Sequence, residues 1–432
     1  MYSLLDNMSI KGTDYQKFKK EVDNISKLTK ARTLRWDDVI IYSYQGETAN
    51  PNEEPRLLFI ELNPHNLWNM IPRPVLGKVI GFKKSDMEKK LGKDGLKELT
   101  SQTKFLFKIK NSKYKELENG RMVSVSDTIY PTLTQRLKIG GQLAVEPSLE
   151  RDVFFAKGIE EQVGNAFTGI FRKSETSDFE KIYATLSDRY EFENQTILYK
   201  IIDMLQGNNL GKVEVIKWSI DHSFTDIYVQ FPEKGDQIAK MYGLPDKIIP
   251  GLYLSTSDIG SSSIICRGTW NINGASTTIN ELAFKHIGNL DAKDILSEVA
   301  KNIFSEYTQL PTVLCGLLQK NITDTSWDLT TDAGQKANQD AVKDAFKTVF
   351  KECGIVEAIG KKNEKVLFES VLDEYDYSSH FTAYEIVREM MELPNRVSGL
   401  SRNEVHKLAK ACSKAPYVNF KKSKKGTVVL TA

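Results

Sequence analysis

Phe18, Val22, Ile25 and Leu28 recur at helical spacing, which predicts an amphipathic helix over Thr13–Thr29. Asp38–Tyr44 and Arg56–Leu62 read as strands on either side of a polar loop. Ser85 followed three residues later by Glu88 matches a capping box, so a basic helix is expected to run on to about Leu99. The chain then alternates with period two. Phe105, Phe107 and Ile109 face one way, and Lys104, Lys108 and Lys110 face the other together with Leu106. Lys113 and Lys115 extend the charge, and Asn119-Gly120 suits a tight turn into a second strand, Arg121–Tyr130. Residues 103–130 are therefore expected to form a basic β-hairpin.

Farther on, Ile182–Leu186 reads as a strand and Gln195–Gln206 as a helix. Lys212–Ser219 and Asp226–Phe231 read as an antiparallel pair. Gly251–Asp258 and Ser263–Thr269 add two strands around the small-residue turn Gly260–Ser263. A helix capped by Asn289 is expected to reach Tyr307. From Ala333 onward the pattern is helical: Ala333–Glu352, Glu364–Leu372, Thr382–Glu392 and Arg402–Ser413. The expected fold class is α+β, with mixed or antiparallel sheets, packed helices and a mainly helical C-terminal region. The expected divisions are a basic α+β region over 1–150, a central α+β core over 151–310, a helical region over 311–412 and a lysine-rich tail over 413–432.

At 432 residues, with 40% apolar and 27% charged side chains, the chain has the composition of a soluble protein of two or three domains. No apolar run is long enough for a membrane span, and Met1–Lys20 shows no secretory h-region, so a cytoplasmic location in the host cell is expected. The net charge of +2 hides an asymmetry: residues 1–150 carry +6 and the tail 413–432 carries +5. Positive charge concentrates at Lys11–Arg35, with eight basic and three acidic residues, and at Lys78–Arg121, with thirteen and six. Such regions attract polyanions. They also serve to keep helix faces and edge strands solvated.

The cysteines Cys266, Cys315, Cys353 and Cys412 are far apart, and the five histidines fall in no zinc or metalloprotease motif. Free, buried or half-buried thiols are expected, and no cofactor. There is no P-loop and no Gly-x-Ser-x-Gly nucleophile turn. Asp373, Asp376 and His380 form the one acidic cluster that suggests a divalent ion and, with it, a nuclease. A solvated helix end is the simpler account.

Leu186 to Tyr190 reads Leu-Ser-Asp-Arg-Tyr. Ser255, Ser257 and Gly260 follow, then Cys266 with Gly268, then the helix segment Phe381–Val387. In this order the residues resemble the landmarks of a family of phage- and plasmid-borne proteins known as a domain of unknown function. The likeness spans roughly residues 150–395. Asp258 stands where that family usually has an acidic residue, but Arg267 and Thr269 depart from its Cys-Thr-Asn-Gly turn. The resemblance implies a protein made from mobile elements, often encoded near replication or recombination genes. A weaker likeness at the level of fold links it to phage single-strand annealing proteins, which hold the strand backbone in a basic groove and work as rings or filaments.

The resulting expectation is a non-enzymatic, phage-type protein that binds or anneals single-stranded nucleic acid and self-assembles into a homo-oligomer. Lys104, Lys108, Lys110, Lys113 and Lys115 would grip phosphates, with Tyr114 or Trp36 stacking on bases. Arg189 with Tyr190, and Lys421 with Lys422 in the tail, are further candidate contacts. The alternative is a phage structural, scaffold or host-interaction protein without nucleic-acid contact.

Overall fold

The computed structural model describes residues 4–48, 50, 52–62, 78–110, 121–140, 146–175, 179–190, 195–206, 210–272, 275–286, 291–373, 375–422 and 428–430. The chain begins with the short strand β1 (Ser9–Gly12) and the helix α1 (Tyr15–Leu28). Strands β2 (Thr29–Arg35), β3 (Val39–Glu47), β4 (Arg56–Leu62) and β5 (Lys78–Lys83) lead into α2 (Lys84–Ser101). Strands β6 (Phe105–Ile109) and β7 (Arg121–Val125) follow, then α3 (Ile129–Leu137) and α4 (Leu149–Glu161), then β8 (Ala166–Lys173) and β9 (Glu180–Ser187). These strands build one eight-stranded sheet in the order β2-β8-β9-β7-β6-β3-β4-β5. Every pairing in it is antiparallel except β7 with β9. The sheet thus crosses the division expected at residue 150.

Next come α5 (Ile197–Leu205), β10 (Glu214–Asp221), β11 (Thr225–Gln230), α6 (Pro232–Tyr242), β12 (Ile248–Thr256), β13 (Ile264–Ile272) and β14 (Ala275–Phe284). They form an antiparallel sheet in sequence order, with β1 from the far N-terminal end added at the β10 edge. The C-terminal part is helical: α7 (Ala292–Val299), α8 (Glu306–Leu318), α9 (Asp332–Cys353), α10 (Ile355–Asp373), α11 (Ala383–Arg396) and α12 (Arg402–Cys412). A small hairpin of β15 (Phe420–Lys422) and β16 (Val428–Leu430) comes last. The fold is α+β with a helical C-terminal region, as expected.

Two predicted caps are replaced. Ser85 does not cap α2; its hydroxyl bonds Glu54, and the helix starts one residue earlier without a side-chain cap. The helix predicted from Asn289, a residue outside those described, starts at Ala292 with Asp291 as its cap. A π-helical turn, Ala300–Phe304, joins it to α8.

Both faces of the eight-stranded sheet are covered. On one, Phe105, Phe107, Ile109, Val123 and Val125 meet α3 and α4 through Ile129, Leu133, Phe155 and Ile159. On the other, Tyr42, Phe59, Leu106, Ile170 and Ala184 join the core that includes α1, α2 and the second sheet. Trp36 belongs to the first of these cores. It is 2% exposed, and its ring stacks on Phe167 at 3.9 Å, so it offers no platform for a base. Among the described residues no helix is long and apolar enough to cross a membrane.

Candidate functional site

Strand β6 pairs antiparallel with β7, but β7 stops at Val125, and Ile129 and Tyr130, expected at the end of that strand, begin α3. The cationic ribbon does not form. Lys104 is 2% exposed and ion-paired with Asp6 and, at 3.1 Å, with Asp127. Lys108 is half-buried, donates to the Tyr42 hydroxyl at 3.0 Å and lies 3.9 Å from Glu61. Lys110 is exposed. Lys113, Lys115 and Tyr114 lie outside the described residues. The face opposite Phe105 and Phe107 is therefore covered rather than solvated, which corrects the expectation for Lys104 and Lys108. Asp6, 98 residues away, and Asp127, beyond β7, supply acidic neighbours together with Glu98 near the end of α2, and local alternation carries no trace of the first two.

The covering charges form a buried network. Lys181 donates to Glu98 at 2.6 Å and to the Leu4 carbonyl at 3.1 Å, and pairs with Asp6 at 2.9 Å. The Tyr183 hydroxyl also donates to the Leu4 carbonyl, at 2.9 Å. Burial lowers the Lys104 ammonium to about 8, and nearby Lys181 pushes the same way against the pull of Asp127. Burial likewise raises Glu98, against the attraction of Lys181.

The network continues through His222. Its Nε2–H donates to the Leu5 carbonyl, since a carbonyl can only accept. Its Nδ1 then accepts from the Arg172 guanidinium at 3.1 Å, and Arg172 donates on to Asp258 at 2.6 Å. Burial, and Arg172 next, hold the imidazole down at about 3, so it is neutral.

Several of the landmark residues named in the sequence lie at or near this joint between the sheets. Asp258 is buried against Arg172. Gly260 has a positive φ of 74°, and a Cβ there would lie 2.6 Å from Leu186 Cδ2, so the β12–β13 turn presses on the end of β9. Ser257 Oγ accepts the Ser261 amide at 3.1 Å. The ring of Tyr190 sits 5.7 Å from that of His286, whose Nε2–H donates to the Ser262 carbonyl at 3.1 Å. Cys266 is core, and a Cβ on Gly268 would collide with Ile303. Asp258, Gly260, Cys266 and Gly268 thus have packing roles. Arg189 is exposed on the turn after β9, where its amide donates to Ser187 Oγ at 3.3 Å.

The predicted contacts are not brought together. Lys110 follows the β6 end that pairs with Arg121, at the start of β7. Arg189 lies past the end of β9, which pairs with the other end of β7. Lys421 and Lys422 lie in β15, with side chains outside the described ones. All four cysteines are free, three of them buried and Cys315 half-buried. Asp376 is exposed and accepts the Ser378 amide at 2.9 Å. Among the described residues no group of three or more His, Cys, Asp or Glu is placed to hold a metal ion.

A different cationic face does form. In α1 the positions opposite Phe18, Val22 and Ile25 carry Lys17, Lys20 and Lys27, all exposed. Steps of three and seven put them on one stripe about 15 Å long. Lys30, just after the helix, is exposed on edge strand β2. The three acids of this segment are engaged elsewhere. Asp14 caps α1, Glu21 is buried, and Asp23 accepts from the Tyr199 hydroxyl at 2.8 Å. Neighbouring cations are also taken, Lys19 by Asp203, Arg32 by Glu180 and Arg35 by Asp37. Among the described residues Lys17, Lys20, Lys27 and Lys30 enter no ion pair. The charge concentration at Lys11–Arg35 pointed to this region, and the helical spacing of its lysines was the signal that the strand alternation overshadowed. Comparison with protein-family models, with curated proteins and with solved structures finds no match.

Proposed function

We propose that this protein binds a polyanion, a single-stranded nucleic acid, along the face made by Lys17, Lys20, Lys27 and Lys30. One observation supports the reading: Lys17, Lys20 and Lys27 share an exposed face of α1, with Lys30 exposed just after it, while the acids of the same segment cap the helix, are buried or are bonded elsewhere. Lysines in such a row release counterions from phosphates without reading sequence. Self-assembly along the strand belongs to the same proposal, as does the mobile-element setting implied by the family resemblance. Labelled single-stranded oligonucleotide is titrated at two salt concentrations. Binding should weaken steeply with salt, with a slope of roughly 0.7 per phosphate contact. Replacing the four lysines by glutamate should lower the slope by about 3. Salt-insensitive binding, or a variant that binds as well as the wild type, would refute it.

A further inference from the structure

Asp6, Lys104 and Glu98 form a group that the proposed binding face does not use. Their side chains are 8%, 2% and 7% exposed. Lys104 Nζ contacts Asp6 Oδ2. The other oxygen, Asp6 Oδ1, receives the Ser126 hydroxyl at 2.6 Å, Lys181 Nζ at 2.9 Å and the Asp127 amide at 3.3 Å. Glu98 Oε1 lies 3.7 Å from Lys104 Nζ and accepts the Asp6 backbone N–H at 2.9 Å.

An amine faces one oxygen of a carboxyl whose second oxygen is held by three donors. Donors so placed stabilise the negative charge that builds on an acyl oxygen under attack. Fixed contact between the partners supplies the orientation a solution reaction lacks. We propose that the Lys104 amine and the Asp6 carboxyl condense into an intramolecular amide that ties the N-terminal segment to the eight-stranded sheet.

The step balances without a co-reactant. The ammonium–carboxylate pair holds the same protons as the amine–acid pair, and burial favours the uncharged form. The low basicity of Lys104, at about 8, acts in the same direction. The Nζ lone pair forms a bond to Asp6 Cγ, and the C–Oδ2 bond breaks. Glu98 takes a proton from the nitrogen and returns it to the departing hydroxyl, which leaves as water. Asp127, 55% exposed and 3.1 Å from Nζ, marks the way out to solvent.

Intact-mass measurement of the denatured full chain, with peptide mapping, tests this. The wild type should weigh one water less than its sequence, and digestion should yield a branched peptide joining Asp6 to Lys104. Lys104→Arg and Asp6→Ala should keep their full sequence mass. A variant that failed to fold would also keep full mass, so Asp6→Asn is the decisive companion. It would lose ammonia instead of water and finish at the same mass as the wild type. Glu98→Gln should keep most of its chains uncondensed. A wild-type mass equal to the sequence, meaning an ion pair only, would overturn the proposal, and so would a missing water that survives Asp6→Ala. Neither result depends on nucleic-acid binding.

Discussion

Acidification should weaken the joint between the sheets through His222. The neutral ring is fixed by its two partners, with Nε2–H donating to Leu5 and Nδ1 accepting from Arg172. A second proton would have to sit on Nδ1, facing a guanidinium that can only donate. The folded value of about 3 lies below the ordinary 6.5, so between these values the unfolded chain binds a proton that the folded chain refuses. Stability is therefore complete above pH 6.5 and falls as pH drops through this window. For a shift of this size the loss is about 2 kcal/mol by pH 5. The perturbation that isolates it is His222→Gln, whose amide can still donate to Leu5 and accept from Arg172 but cannot titrate. Denaturant midpoints for both proteins would be measured from pH 8 to pH 5. The wild type should lose about 2 kcal/mol more than the variant over that range. Parallel curves would mean that burial and Arg172 do not hold His222 neutral, and the argument for this part of the network would fail.

Asp6→Ala removes the carbonyl oxygen that receives Ser126, Lys181 and the Asp127 amide, whether or not the carboxyl has condensed with Lys104, and should cost about 3 kcal/mol or more in denaturant unfolding; a loss under about 1 kcal/mol would show that water reaches the cluster. Gly260→Ala meets both a left-handed backbone and Leu186, so a drop of about 1–3 kcal/mol is expected by thermal unfolding. Lys108→Gln should leave oligonucleotide affinity and its salt slope unchanged, because its ammonium is already held by Tyr42 and Glu61. A fall in affinity would restore the strand as the contact surface.

Elements with a strong period were legible. Phe18, Val22 and Ile25 marked α1, and the alternation of Phe105, Phe107 and Ile109 marked β6. Strand β8 was not read, because it lies between β2 and β9 and its residues are buried along nearly their whole length, which erases alternation. Strand β2 was missed for the opposite reason: it is an edge strand, and Lys30, Arg32 and Arg35 make it look like a loop. The site was harder still. Lysine at an alternating position reads as solvated unless its partners are known, and Asp6 lies 98 residues away from Lys104. Separations of 50 and 86 residues likewise hide Arg172 from His222 and Asp258. The spacing of Lys17, Lys20 and Lys27 on α1 is a local signal, but the engagement of Asp23 by Tyr199, 176 residues away, is not.

Strand β1 pairs with β10, so Ser9 finds Asp221 more than two hundred residues later. On the ribosome, at roughly 5–20 residues per second, that partner appears some tens of seconds after Ser9 has been made. The first few turns of the nascent chain must therefore wait, and the carboxylate of Asp6 with them, while the sheet carrying Lys104 and Lys181 is laid down. Closure of the second sheet is a late event that acts on an early piece of chain. A bulky fusion placed ahead of Ser9 should slow refolding more than the same fusion after β16.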